Sequence, residues 1–219
     1  MDRTVVREFS SRILEWWRRW GRDFPWRRTK DPYKVLIAEI LLRKTTAAQV
    51  VKMYESFLSE YPNPSSLAAA SEERLKELLR PLGMEHRRAE LLIKLGRTIE
   101  EKYKGKLPSS IKELTKLPGV GRYAAGAVLC LAYGADEPMV DTNAVRLIQR
   151  VFGFRSSRAR PRDDPKIWAF AKSLIPRGMG KEFNLAVIDF ASAVCTARNP
   201  KCNVCPLKDI CYFYRSRRE

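Results

Sequence analysis

The stretch LPGVGRYAAGAVLCLAYGADEPMVDTNAVR, residues 117–146, decides how the rest of the chain is read. Its first five residues, Leu117-Pro118-Gly119-Val120-Gly121, make a glycine-rich turn between two helical runs. Neither glycine puts a Cβ in the way, so backbone N–H groups of the turn can face an anion. The helix that follows opens at Arg122, and its N-terminus favours a phosphate on the same side. Asp141 follows Tyr123 by eighteen residues, at the start of another helical run. Taken singly, the turn is a common turn and Asp141 is a favoured N-cap for residues 142–152. Paired, an anion clamp and an acid close in sequence point to chemistry on a phosphate-bearing strand.

The bulk properties agree. The 219 residues suffice for one large or two small cores. No apolar run reaches the ~18 residues of a membrane span. Met1-Asp2-Arg3-Thr4 precedes no apolar signal core. The expectation is a soluble, cytoplasmic protein with no membrane partner. The formal net charge is +17, spread along the chain and not confined to a tail, which favours a polyanion, nucleic acid first. No segment sustains period-two alternation and no internal repeat is visible, so the fold class is all-α.

In chain order, Ile13, Trp16, Trp17 and Trp20 share one face of a helix over 12–20, which places the tryptophans in a core. Residues 23–28 break that helix and connect to the next. Asp31 and Pro32 cap and open a helix to Leu42 that is apolar almost all round, with Glu39 in its middle. A carboxylate there is costly to bury and tends to have its pKa raised, as a general acid near neutral pH requires. Thr46 and Gln49 form a capping box for residues 47–60, leaving Arg43 and Lys44 at the junction beside Glu39. Tyr61-Pro62-Asn63-Pro64 is a turn, Ser71 caps a helix to Arg80, and residues 85–103 form one long amphipathic helix. The single histidine, His86, lies at that helix's start, where surface exposure or a phosphate contact suits it better than catalysis. Ser110 caps the short helix before the glycine turn. Arg155–Arg162 is an exposed, arginine-rich loop, and residues 165–175 and 181–194 are helical.

Cys130 sits in an apolar helix, where it acts as a small hydrophobe. Cys195, Cys202, Cys205 and Cys211 give the spacing C-x6-C-x2-C-x5-C. Clustered cysteines in a cytoplasmic chain suggest a metal site before disulfides, and thiolates suit zinc and iron–sulfur clusters alike.

The residues carry a family resemblance. Leu117–Tyr123 resembles the hairpin of helix-hairpin-helix DNA glycosylases of the endonuclease III/MutY superfamily, and Val140-Asp141-Thr142-Asn143 the stretch carrying their catalytic aspartate. Ala38-Glu39-Ile40-Leu41-Leu42 is similar to the segment with the catalytic glutamate of adenine glycosylases of the MutY type. There, however, two glutamines stand where this chain has Arg43 and Lys44. The run Leu41–Ala47 matches instead the LLR[RK]TTA pattern of archaeal Mig-type thymine–DNA mismatch glycosylases. The cysteine spacing is that of the endonuclease III cluster loop, which implies a [4Fe-4S] cluster on Cys195, Cys202, Cys205 and Cys211.

The resemblance covers residues 13–214. It implies a six-helix barrel over 28–136, a discontinuous lobe from 1–27 and 137–219, and DNA in the groove between them. It further implies a monomeric, nucleoid-associated prokaryotic repair enzyme acting on double-stranded DNA that contains a mismatch. Asp141 would stabilise the sugar cation, Glu39 would contact or protonate the departing base, and Tyr123 would pack against the flipped nucleotide. Gly119, Val120, Gly121, Arg122, Arg43, Lys44, Arg198 and Lys201 would bind the DNA, with Lys208 and the tail residues Arg215, Arg217 and Arg218 adding positive charge. Bifunctional relatives carry lysine at position 123. Tyr123 cannot form a Schiff base, which implies hydrolysis of thymine or uracil opposite guanine without strand nicking. The rivals are an adenine glycosylase, an endonuclease III-like lyase on oxidised pyrimidines, and a non-catalytic DNA-binding protein.

Overall fold

The computed structural model describes residues 3–216. Met1-Asp2 and the tail arginines Arg217 and Arg218 lie outside the described residues. Every regular element among those residues is helical: α1 (Arg3–Trp20), α2 (Pro25–Arg28), α3 (Pro32–Leu41), α4 (Ala47–Glu60), α5 (Pro64–Ala68), α6 (Glu72–Leu79), α7 (Glu85–Tyr103), α8 (Ile111–Leu114), α9 (Arg122–Leu131), α10 (Thr142–Phe152), α11 (Pro165–Ser173), α12 (Gly180–Ala193) and α13 (Tyr212–Arg215). The fold is therefore all-α. No described helix is long and apolar enough to cross a membrane.

Helix starts follow capping chemistry. Asp31 accepts from the N–H groups of Tyr33 and Lys34, with Pro32 in the first turn. Thr46 and Gln49 form the reciprocal box that opens α4. Ser71, Ser110 and Asp164 each accept from the first turn of α6, α8 and α11. Each such cap contributes about 0.5–2 kcal/mol. Two short helices lie in stretches read as connectors, α2 and α5. Both carry proline in the first turn, where the missing N–H breaks no helical bond, and both are too short to show a period.

The chain forms two compact units, one running from Phe24 to Tyr133 and the other built from the segment ending at Asp23 together with the chain from Gly134 onward. In the Phe24–Tyr133 unit, α3 packs on α9, and α5 and α6 pack on α7. Leu36, Ile37 and Leu41 of α3 and Ala125, Ala127 and Val128 of α9 are fully buried. Gly96 permits the α5–α7 approach: a Cβ there would stand 2.6 Å from the Ala68 nitrogen and 2.9 Å from the Pro64 carbonyl oxygen.

In the other unit α12 packs on α1 and on α10, around Phe9, Ile13, Leu147, Ala186 and Phe190. Trp16 meets Phe190 edge to face at 5.1 Å, and the Trp17 indole donates to Asp189 at 3.1 Å. Trp20 departs from its expected place in the core, since it is 67% exposed. The helix ends at Trp20, and the chain turns at Gly21, whose N–H donates to the Trp17 carbonyl. The buried stripe begins instead a turn earlier, at Phe9.

Candidate nucleic-acid interface and acid site

The turn before α9 has the geometry its sequence requires. Gly119 has φ +72°, in the left-handed region that favours glycine, and a Cβ there would press on the Leu91 side chain at 2.8 Å. Leu117 and Val120 are buried and anchor the turn from inside. The Val120 N–H donates to the Leu117 carbonyl at 3.0 Å. Val120 therefore shapes the loop, and its N–H is not among those turned to an anion. Gly121, at φ −88°, is the N-cap of α9 and has no side chain to fill the cap; a Cβ there would meet only open space. That open side is where an anion can approach the uncapped helix start. Arg122 is exposed, and Tyr123 is half-buried one residue later in the first turn.

The junction between α3 and α4 joins this turn. An Arg43 nitrogen donates to the Gly119 carbonyl. Desolvation lowers the Arg43 pKa, and the charge of Glu39 raises it in part, so Glu39, Arg43 and Gly119 share one neighbourhood. Glu39 is buried at 9% exposure, in the last turn of α3. Lys44 is exposed and held at φ +50°. What holds it is Arg88, which the sequence reading did not single out. Arg88 is 5% exposed and donates to the carbonyls of Gly83, Ile40, Leu41 and Arg43 and to the Thr45 hydroxyl. No carboxylate is among these partners; the guanidinium caps the C-terminal carbonyls of α3. Its neighbour in sequence, His86, is exposed.

Asp141 belongs to the second unit and is the N-cap of α10. Its Oδ1 accepts from the Ala144 N–H and its Oδ2 from the Asn143 amide, both at 2.7 Å. The Asn143 oxygen in turn accepts from Arg146 at 2.9 Å, and Arg146 also donates to the carbonyls of Cys195 and Ala191. The approach to Asp141 is fixed from the other side by Asn184. This buried amide accepts from the Met139 N–H and donates to the carbonyls of Glu137 and Gly180, each at 2.8 Å. Asn143 lies in the motif stretch around Asp141, whereas nothing in the sequence marks Arg146 and Asn184.

The four clustered cysteines line one cavity, together with Leu147, Phe190 and Leu207. They form no disulfide. Burial pushes the Cys205 thiol up to about 11 and raises the Cys211 thiol as well. Such sulfurs are held as thiolates by a cationic centre between them. Four thiolate donors around one cavity fit an iron–sulfur group. Arg150 closes the loop, donating to the Thr196 and Ala197 carbonyls and lying 3.5 Å from the Cys195 sulfur. Arg198, Lys201 and Lys208 are exposed on the same loop.

Residues 37–167 match the family model of the HhH-GPD superfamily base excision DNA repair protein, and residues 195–211 match the iron–sulfur binding domain of endonuclease III. The chain is 48% identical to a thymine-DNA glycosylase of Aeropyrum pernix, across 99% of this chain and 98% of the relative. It is 49% identical to a thymine/uracil-DNA glycosylase of Pyrobaculum aerophilum, across 96% and 93%. The solved structure of a thermostable thymine-DNA glycosylase is similar with a TM-score of 0.93 at 38% identity, covering 97% of this chain and 98% of that one. The buried anchors of the glycine turn, the capped acid and the cysteine cavity thus have a common origin: this chain belongs to the HhH-GPD superfamily of base excision DNA repair proteins, and its four-cysteine loop is an iron–sulfur site.

Proposed function

We propose that the chain is a monofunctional DNA glycosylase that hydrolyses the N-glycosidic bond of thymine, or of uracil, mispaired with guanine. The observation that carries this reading is the likeness to thymine-processing glycosylases over 99% and 96% of the chain. Tyrosine at position 123, where a lyase needs an amine, supplies the word monofunctional.

The target base must leave the stack before its glycosidic carbon can be reached, and a mispaired base costs less to flip. The uncapped N–H groups at the start of α9, beside Gly121 and Arg122, hold a phosphate on the open side of the turn that Gly119 and Val120 shape, and Arg43 and Lys44 meet the duplex from the adjoining junction. Arg198 and Lys201 contact the backbone from the cysteine loop. As the glycosidic bond breaks, positive charge builds on the sugar. Asp141, aimed by the Ala144 N–H and the Asn143 amide, stabilises that charge and orients the attacking water. Glu39 contacts the departing base and supplies its proton, and Tyr123 packs on the flipped nucleotide. Cys195, Cys202, Cys205 and Cys211 hold a [4Fe-4S] cluster, whose contribution is a rigid anchor for the loop.

A panel of duplexes carrying T·G, U·G, A·G, A·8-oxoguanine and thymine glycol, read with and without alkali, tests the reading. Strand cleavage at T·G and U·G only after alkali, with no adduct trapped by borohydride, is the expected result. A trapped adduct would make the chain a lyase, and cleavage confined to adenine would change the substrate.

A further inference from the structure

We propose that one face of α10 and the arginine-rich loop beside it form a second anion pocket, which grips a backbone phosphodiester of the DNA next to Asp141. The proposal rests on the reading of the chain as a DNA glycosylase.

Thr142, Val145, Arg146 and Gln149 recur at helical spacing and present one stripe of α10. With Ala159, Arg160, Pro161 and Arg162 they line an open cavity of about 370 Å³. The loop that closes it is built, not slack. Buried Asp164 accepts from the Ser156 hydroxyl at 2.7 Å and from the Lys166 N–H at 2.9 Å. The Trp168 indole donates to the Arg162 carbonyl at 2.7 Å, and the Asp163 N–H to the Arg160 carbonyl at 2.8 Å. These bonds use the backbone of the loop. The guanidinium groups of Arg160 and Arg162 are left exposed, with no ion pair and no hydrogen-bond acceptor among the described residues. Elsewhere on the same unit, Arg12 is paired with Glu8 and Asp209, and Arg19 with Glu15.

The walls of the cavity carry donors without matching acceptors. The Thr142 hydroxyl, the Gln149 amide and the Nη1 of Arg146 have no hydrogen-bond partner among the described residues, and no carboxylate lines the cavity. Two planar guanidinium forks, an amide and a hydroxyl suit the two unbridged oxygens of a phosphodiester. The first turn of α10 adds its dipole in the same sense. Because Asp141 directly precedes Thr142, a phosphate seated here fixes the strand beside the acid.

The test is duplex affinity against salt, on a G·T duplex whose thymidine carries a 2′-fluorine so that it is not cleaved. Each phosphate neutralised contributes about 0.9 to the slope of log K against log salt. The double variant Arg160→Ala/Arg162→Ala should flatten the slope by about 0.9, whereas Arg160→Lys/Arg162→Lys should keep most of it. Arg155→Ala removes one positive charge from the loop outside the cavity and should move the slope far less. Gln149→Glu changes one atom of the cavity wall without touching a backbone contact, and should weaken binding by roughly tenfold at low salt. It keeps the test alive should the alanine pair fail to fold. An unchanged slope in the alanine pair, or an equal loss in Arg155→Ala, overturns the pocket. Competition by inorganic phosphate with no change in the duplex slope would mark a small-anion site and also overturns it. A wild-type protein that binds no duplex is a different result, because there the glycosylase reading falls and takes the pocket with it.

Discussion

The turn at residues 117–121 and the acid at position 141 are neighbours in sequence and opposites in construction. The turn is shaped from within: Gly119 takes the left-handed conformation, Leu117 and Val120 are its buried anchors, and Val120 bonds back to Leu117. Asp141 has two local partners, the Ala144 N–H and the Asn143 amide. The rest of its setting arrives from far along the chain, through Asn184 onto residues 137 and 139 and through Arg146 onto Ala191 and Cys195. An anion-binding turn tolerates local specification, because it needs only N–H groups on an open side. An acid that must meet a sugar carbon has to be aimed, and aiming takes contacts from several elements.

The largest effect that separates the two belongs to Asn143→Ala. It removes the Oδ2 partner of Asp141 and the link to Arg146 while leaving the Ala144 cap in place. Misplacing a reacting group by ~1 Å can cost on the order of 10²-fold in rate. Single-turnover cleavage of a T·G duplex should therefore fall by about 10- to 100-fold, with duplex affinity little changed. An unaltered rate would mean that the local cap alone aims the acid, and the contrast with the turn would vanish.

Gly119→Ala probes the other side of the contrast. A side chain at φ +72° costs about 1–2 kcal/mol, and the added methyl presses on Leu91. Urea unfolding should show a loss of that size, about 1–2 kcal/mol, and duplex affinity should fall. The single-turnover rate at saturating protein should hold, because Asp141 is held by the Asn143 amide and the Ala144 N–H. A rate loss matching that of Asn143→Ala would show the two regions to be mechanically one.

The same contrast explains how much was legible in the sequence. Helix starts at Asp31, Thr46, Ser71, Ser110, Asp141 and Asp164 could be read because a cap and its partners lie within four residues. The cysteine spacing was legible for the same reason. Arg88 was not, since a lone arginine beside His86 and Arg87 reads as surface, and only the fold brings the α3 carbonyls to it. Asn184 and Arg146 were hidden likewise, behind separations of 45 and 49 residues to Met139 and Cys195. Trp20 was misread because helical spacing assigns a face without saying where along the helix the core ends.

The smallest expected effect concerns the Phe24–Tyr133 unit alone. Burial, and then the hydrogen bond its hydroxyl gives Glu60, push the Tyr61 phenol up to about 12. Burial also raises Tyr33 and Tyr54, whose hydroxyls donate to the Tyr61 and Lys34 carbonyls. In each case the folded pKa lies above the unfolded value of about 10, so the fold favours the neutral phenol. The stabilisation is fully present below pH ~10 and is lost as pH rises through the folded values. Urea midpoints measured at rising pH should thus decline beyond ~10, and amide exchange should show the decline in α7, which belongs to the unit that holds the three tyrosines. The double variant Tyr33→Phe/Tyr61→Phe should start from a lower midpoint, for want of the hydroxyl bonds, and fall less steeply. An equally steep fall in that variant would assign the alkaline loss to deprotonation of lysines and remove the buried phenols from the account.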